Sequence, residues 1–376
     1  MKPPVILAIN PGSTSTKVAL YAGETLLAAD EIERQYQSGR RGAALEAEAD
    51  DYVRDVREFL AKSGQRPDAV VGRGGFICRE GGRIDGGTWL VAEMVNGQAR
   101  VCEDLEHAML NHCELDHASN LGIPIAARLA VCYNVPAFSV DPVVSDDFCE
   151  EARFSGYAPI ERRSIAHALS VKRLAIKAAR QLERPVEELN LVVVHLGGGI
   201  TVAAVKGGRL IDNNIALLGS GPFTPQRVGS LPMKALIDLC YGGRFTRQEL
   251  ETELTRNGGW KSYLGTDSGL ELERRLAAGD PKTRQVLEAM AYQIAKEIGA
   301  MAIAAGLPLD ALVFSGGLTR FTPLLDMILR RAGPLCATRF FYPDSVEMEA
   351  MAGGVLAVLE GKTQARRFQL PAHLRS

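Results

Sequence analysis

The chain has 376 residues, more than one hydrophobic core comfortably serves, so its length predicts two domains. A hydrophobic fraction of 46% and a charged fraction of 23% are ordinary for a globular protein, and a formal net charge of -2 without a basic block argues against nucleic acid or anionic membrane as partners. Seven cysteines without a Cys-x-x-Cys pair read as buried thiols of a reducing compartment; with a strand starting beside Met1 and no apolar run near the ~18 residues of a membrane span, the expected location is the cytoplasm.

Val5-Ile6-Leu7-Ala8-Ile9 reads as a buried strand, since five consecutive apolar, mostly branched residues leave no polar face. Asn10-Pro11-Gly12-Ser13-Thr14-Ser15-Thr16-Lys17 then turns the chain, and a second strand returns through Ala22-Gly23-Glu24. Turn amides and short hydroxyls at a strand end suit an anionic oxygen, and Lys17 adds a point charge. For one such stretch alone, an ordinary hairpin is the simpler alternative.

Ala43 to Lys62 has helical character, with Val53, Val56, Phe59 and Leu60 on one face, and Ser63-Gly64 ends it. A short strand, Asp68 to Val71, opens on Gly72-Arg73-Gly74-Gly75. The glycines clear the approach of a guanidinium to a carboxylate or phosphate; a solvated loop arginine is the alternative. Arg79 and Arg83 follow in a more polar loop. Residues 103–133 predict two helices broken near Gly122-Ile123-Pro124. Along one continuous helix His107, His112 and His117 share no face, which speaks against a metal site. His117-Ala118-Ser119-Asn120 reads as a helix start. A strand from Pro136 to Val140 ends on Asp141-Pro142, a position that suits a metal ligand or base as well as a turn cap. His167 precedes a helix from Ala168 to Gln181, where amide dipoles favour anions.

The opening pattern then recurs. Leu191 to Leu196 runs into Gly197-Gly198-Gly199, an apolar strand follows, and Gly207-Gly208 turns it back. Two such units predict two similar domains, each offering a phosphate-binding turn to a cleft between them. Gly219 to Pro232 is a long irregular loop carrying Arg227, and loops of that kind usually bind something. Residues 233–241, 246–256 and 281–306 predict helices. Ala311 to Ser315 opens on Gly316-Gly317, where a ligand ring can approach the backbone. A final helix opens at Ser345-Val346-Glu347 and ends near Gly361, and the basic tail beyond it reads as peripheral.

Taken together and in order, Asn10-Pro-Gly-Ser-Thr-Ser-Thr-Lys17, Val70-Val-Gly-Arg-Gly-Gly75, His117-Ala-Ser-Asn-Leu-Gly122, His195-Leu-Gly-Gly-Gly199, Gly221 to Pro232 and Val313-Phe-Ser-Gly-Gly317 resemble the butyrate-kinase branch of the acetate kinase family, within the actin-like, hexokinase-like and heat-shock-ATPase superfamily. The resemblance runs from about residue 5 to 360. It departs at Ile165-Ala166-His167-Ala168-Leu169-Ser170, where acetate kinases carry Phe-His-Gly-Thr-Ser-His and this chain keeps only the first histidine.

The resemblance implies an α/β fold of two duplicated ribonuclease H-like, actin-like domains around a central cleft. The expected bounds are 1–186, 187–345 and a C-terminal helix and tail, 346–376, packing back on the first domain. It implies ATP/ADP and Mg²⁺ as cofactors, a short-chain carboxylic acid and its acyl phosphate as substrate and product, and a homo-oligomer. Asn10, Ser13, Ser15 and Lys17 would form the first phosphate turn, and Gly197, Gly198 and Gly199 would cradle the nucleotide phosphates. Gly316 and Gly317 would approach the adenosine, and Asp267 the nucleotide. Arg73 and Arg227 would bracket the carboxylate and the phosphoryl group, His167 would donate to a phosphoryl oxygen, and His117 would sit near the acyl end. Asn10, Asp141 and Glu347 would orient Mg²⁺, with Glu349 as the alternative to Glu347. An acetate, propionate or branched-acid kinase is the nearest alternative, because one methylene is worth only ~1–3 kcal/mol of discrimination. A sugar kinase would need a carboxylate base for a neutral hydroxyl, and a non-catalytic nucleotide switch would have no use for the paired arginines.

Overall fold

The computed structural model describes residues 2–78 and 82–375, so Arg79 lies outside the described residues. The chain divides into two compact units, one running to Asp146 and resuming at Val346, the other spanning Asp147–Ser345.

In the first unit β1 (Val5–Pro11), β2 (Ser15–Ala22) and β3 (Thr25–Glu33) form an antiparallel meander. Helix α1 (Gly42–Ser63) leads to β4 (Ala69–Gly72), which pairs parallel to β1. β5 (Thr88–Val95), β6 (Gln98–Val101), α2 (Glu103–Asn111), α3 (Gly122–Tyr133) and β7 (Ala137–Val140) follow. The sheet order is β3-β2-β1-β4-β7-β5-β6. β1 is covered on both faces, which is why its apolar run is continuous rather than alternating. Leu7, Ile9 and Val70 join Val53, Val56, Phe59 and Ile123 in one core beneath α1 and α3. The C-terminal helix, Glu347–Leu359, packs on the same sheet against β1, β4 and β7. The approach is close: a Cβ on Gly354 would stand 2.6 Å from a Val140 methyl.

In the second unit α4 (Ala168–Leu182) precedes β8 (Asn190–Leu196), β9 (Ile200–Lys206) and β10 (Arg209–Asn213). Five helices follow: α5 (Met233–Tyr241), α6 (Arg247–Arg256), α7 (Gly259–Leu264), α8 (Gly269–Ala277) and α9 (Pro281–Ala305). β11 (Ala311–Ser315), α10 (Thr322–Ala332) and β12 (Arg339–Tyr342) complete it. The sheet order is β10-β9-β8-β11-β12. Three antiparallel strands followed by two parallel ones repeat the β3-β2-β1-β4-β7 part of the first sheet, so the duplication expected from the two turn motifs is present. Val192 and Val194 pack with Leu287, Met290 and Ile294 of α9. No helix of the described residues is long and apolar enough to cross a membrane.

Five expectations need correction. The thiols are not all buried, since Cys132 and Cys240 are exposed. The first boundary falls after Asp146 rather than at 186, because α4 packs on β8, β9, β10 and β11 and therefore belongs to the second sheet. The break between α2 and α3 lies at 112–117, and Gly122-Ile123-Pro124 starts α3 instead of interrupting a helix. Because α2 stops at Asn111, the His107 and His112 rings come within 5.4 Å, which a continuous helix would forbid. The tail is also not peripheral. Arg366 N–H donates to the Thr88 carbonyl at 2.7 Å and its own carbonyl accepts from Leu90 N–H, extending the sheet beside β5. Phe368 packs edge-on against Trp89, and Leu370 is buried.

Candidate active site

In the first unit the end of β1, the start of the C-terminal helix and the turns after β4 and β7 converge. Asn10 Nδ2 donates to Glu347 Oε2 at 3.0 Å. Glu347 is the first residue of its helix. Lys17 stands directly across the ladder from Asn10, so both side chains share one face of the sheet. Gly12 N–H closes the intervening turn on the Ser15 carbonyl at 2.8 Å. The Ser15 hydroxyl is turned to Glu31 of β3, and Ser13 is exposed on the turn.

Arg73 is buried beyond β4, and its Nη1 donates to the Asp141 carbonyl at 3.0 Å. Burial lowers its pKa from the ordinary guanidinium value, opposed by the charges of Glu347 and Asp141. Asp141 takes a left-handed backbone, φ 38°, which non-glycine residues adopt only when the surroundings hold them. Here Gly87 does so, donating its N–H to Asp141 Oδ1 at 2.8 Å and accepting the Asp141 N–H.

The loop carrying Arg73 is clamped by the motif at 117–122. Asn120, also buried, accepts Phe76 N–H at 2.9 Å through Oδ1 and donates to the Leu115 carbonyl at 2.8 Å. Its Oδ1 occupies space only 2.1 Å from where a Cβ on Gly75 would be, and a Cβ on Gly72 would strike the Gly122 carbonyl at 1.9 Å. Gly72 and Gly75 are therefore required by the approach of the turn that leads into α3, and Gly74 by Ser139 and Pro142 after β7. His117 caps that turn, its Nδ1 accepting Ser119 N–H, and its ring lies 5.6 Å from Phe76.

In the second unit the turn between β8 and β9 gathers a separate set. His167, at the N-terminus of α4, places Nδ1 2.9 Å from Thr201 Oγ1, and its ring lies 4.3 Å from that of His195. His195 Nδ1 is 3.2 Å from Ser315 Oγ. A Cβ on Gly199 would meet an Arg227 guanidinium nitrogen at 2.8 Å and the His167 ring at 3.3 Å, so both side chains border that glycine. Gly316, at φ 88°, sits against the Leu196 carbonyl, while a Cβ on Gly198 or Gly317 would meet no protein atom within 4 Å. Those two face open space. Arg227 donates to the Ala216 carbonyl at 3.1 Å, and its pKa is lowered by burial and by the Arg256 charge. Asp267 accepts from Gln226, next in sequence to Arg227.

Two chemical features stand out. Arg73 and Arg227 are both desolvated, and among the described residues neither forms an ion pair. A buried guanidinium bonded to a neutral carbonyl is costly until an anion completes it. Sequence reasoning assigned no role to Asn120, Thr201, Ser315 or His195, although Asn120, His195 and Ser315 lie inside quoted motifs.

The duplicated sheet, with a polar turn at the first β–β corner of each copy, is the actin-like ATPase fold. Over 93% of this chain and 98% of the other, it superimposes with TM-score 0.70 and 17% identity on a propionate kinase from Francisella tularensis subsp. tularensis SCHU S4. With the acetate kinase of Porphyromonas gingivalis the TM-score is 0.71 at 16% identity, covering 95% and 100% of the two chains. A probable butyrate kinase of Listeria monocytogenes serotype 4a (strain HCC23) is 38% identical over 366 residues, 96% of this chain and 99% of that one. The Acetokinase family model matches residues 158–323. The chain belongs to the acetokinase family.

Proposed function

We propose that the protein phosphorylates a short-chain carboxylate, with butyrate as the preferred acceptor, from ATP to give butanoyl phosphate and ADP reversibly. The observation that carries this reading is the pair of desolvated arginines, Arg73 buried in one unit and Arg227 half-buried in the other, in a chain of this family. A hydrolysing switch has no second anion to hold, whereas an acyl kinase must manage a carboxylate and a phosphoryl group at once.

A carboxylate is already ionised near pH 7, so its attack on the γ-phosphorus needs no strong base. Catalysis then consists of positioning and charge stabilisation. Arg73 binds the acyl carboxylate or the incoming phosphoryl oxygens, with Asn120 holding its loop in place. The Asn10 amide and Lys17 serve the phosphoryl group from one face of the first sheet. In the second unit Arg227 and His167 donate to phosphoryl oxygens; with His167 Nδ1 turned to Thr201, Nε2 is the nitrogen assigned to that contact. Gly198 and Gly317 leave room for the nucleotide phosphates and the adenosine.

Two carboxylates and an amide oxygen are the hard donors Mg²⁺ takes while keeping several waters, so Asp141, Glu347 and Asn10 fit that ion. Bound there it supplies neutralisation of the phosphate charge. Assembly into a homo-oligomer and a cytoplasmic location complete the reading.

The test is formation of acyl hydroxamate from ATP, Mg²⁺ and hydroxylamine across acids from acetate to valerate and isobutyrate. A maximum at butyrate supports the assignment. A maximum at acetate keeps the chemistry and changes the acceptor. No hydroxamate with any acid, from protein that still binds ATP, refutes it.

A further inference from the structure

The tail beyond the C-terminal helix reaches the turn that holds Asp141. β6 pairs with β5 only from Val91 onward, so one edge of β5 at Thr88 to Leu90 lies past the end of β6, while the other edge meets β7. Residue 366 closes that edge. Its N–H donates to the Thr88 carbonyl at 2.7 Å and its carbonyl accepts from Leu90 N–H at 2.8 Å. Successive carbonyls of a strand point to opposite edges, so the Gly87 carbonyl, one residue earlier, takes the Asp141 N–H at 2.9 Å on the far side.

The Arg366 side chain reaches back across the same turn. Its Nη1 donates to Asp85 Oδ2 at 2.8 Å, and a Cβ on Gly87 would meet Arg366 Nε at 3.3 Å, so the side chain lies over Gly87 itself. One residue is thus bonded on both sides of Gly87, to Asp85 before it and to Thr88 after it. Gly87 has φ 124°, a backbone that side chains rarely permit, and both its N–H and its carbonyl bond Asp141, itself held at φ 38°. The Arg366 and Asp85 side chains are both about half exposed, so as an ion pair they contribute little. What the contact fixes is the backbone of a turn whose geometry aims a carboxylate. We propose that Arg366 is a positioning residue for Asp141, holding the Asp85–Thr88 turn so that the Asp141 carboxylate stays oriented for Mg²⁺. The inference rests on the assignment of Asp141 to that ion made above.

Mn²⁺ binding to the full chain with ADP present, read from the electron paramagnetic resonance signal of the free ion, tests this without turnover. Arg366→Ala is expected to weaken Mn²⁺ binding about 5-fold, short of the ~10–100-fold typical when a group bonded directly to a metal ligand is lost. Arg366→Lys, long enough to reach Asp85, is expected to recover part of that loss. ADP affinity in EDTA is expected to be the same in all three proteins, and far-UV circular dichroism checks that each is folded. In an Asp141→Asn background Arg366→Ala is expected to add nothing, because both changes act through one carboxylate. Unchanged Mn²⁺ affinity in Arg366→Ala, an equal loss of metal-free ADP binding, or effects that add to those of Asp141→Asn would each overturn the proposal and leave the tail a purely structural role. Wild-type protein that takes up no Mn²⁺ would overturn it by removing the ion, and the hydroxamate assay on the same samples reads the kinase assignment separately.

Discussion

At the scale of single residues the proposed site rests on arginines drawn out of water, which the proposed reading explains by the anions they would hold. Arg73 is the sharpest case. Replacing it with lysine keeps the charge but loses the planar fork that spans two oxygens. Arg73→Lys is expected to lower kcat/KM for the acid about 100-fold, the loss typical of one charged donor in a preorganised site, with the KM for ATP little changed in initial-rate kinetics. Asn120 acts through Arg73. Asn120→Leu removes the acceptor for Phe76 N–H and the donor to the Leu115 carbonyl. It is expected to raise the acid KM about 10-fold, and Asn120→Asp, which keeps the acceptor, to raise it less, since a buried hydrogen bond is worth roughly 1 kcal/mol and an orphaned partner more. Equal loss for acid and nucleotide would mean Asn120 merely stabilises the fold. Arg73 stood out in the sequence because glycines surrounded it. Asn120 did not, because an amide inside a helix-start signal looks like a cap until the loop it holds is seen beside it.

At the scale of elements, helices with a marked apolar face were legible: α1, α4, α6 and α9 begin and end within a residue or two of the expected positions. Short helices were missed, and the tail was misread. Short helices such as α7 are held by tertiary contacts, here the burial of Trp260, and have too few turns for a periodic pattern. The tail was misread because its charges are basic and its partners distant in sequence. Arg366 pairs with Asp85 at 2.8 Å, Arg367 with Glu93, and Arg375 with Asp104 at 3.0 Å. Ending the chain at Lys362 would expose Trp89 and lose the burial of Leu370, so a Tm lower by roughly 5 °C is expected in a thermal melt. An unchanged Tm would mean the tail only lies on the surface.

For the whole molecule, stability is expected to carry a pH dependence from Glu48, a buried carboxyl on α1. Burial raises its pKa above the ordinary carboxylate value, outweighing the Gln37 N–H and the Arg40 and Arg34 charges that lower it. A raised carboxyl pKa means the folded state holds the proton more tightly than the unfolded chain. Its contribution is therefore complete below the ordinary value and is lost as pH climbs through the raised one. Glu48→Gln stays neutral throughout, so its Tm relative to wild type should rise as the pH climbs from the ordinary carboxylate value through the raised one. A difference that does not change with pH would show that Glu48 holds its charge in the folded protein.

The duplicated turns, the buried central strands and the order of the motifs were determined by the sequence itself, because local propensity and hydrophobic period act within a few residues. Only the tertiary structure decided that α4 belongs to the second sheet, that Glu347 meets Asn10, and that Asn120 bonds the Arg73 loop. Asn10 and Glu347 are 337 residues apart, and no local preference brings such a pair together. Packing a helix from the chain's end onto a strand from its beginning does so.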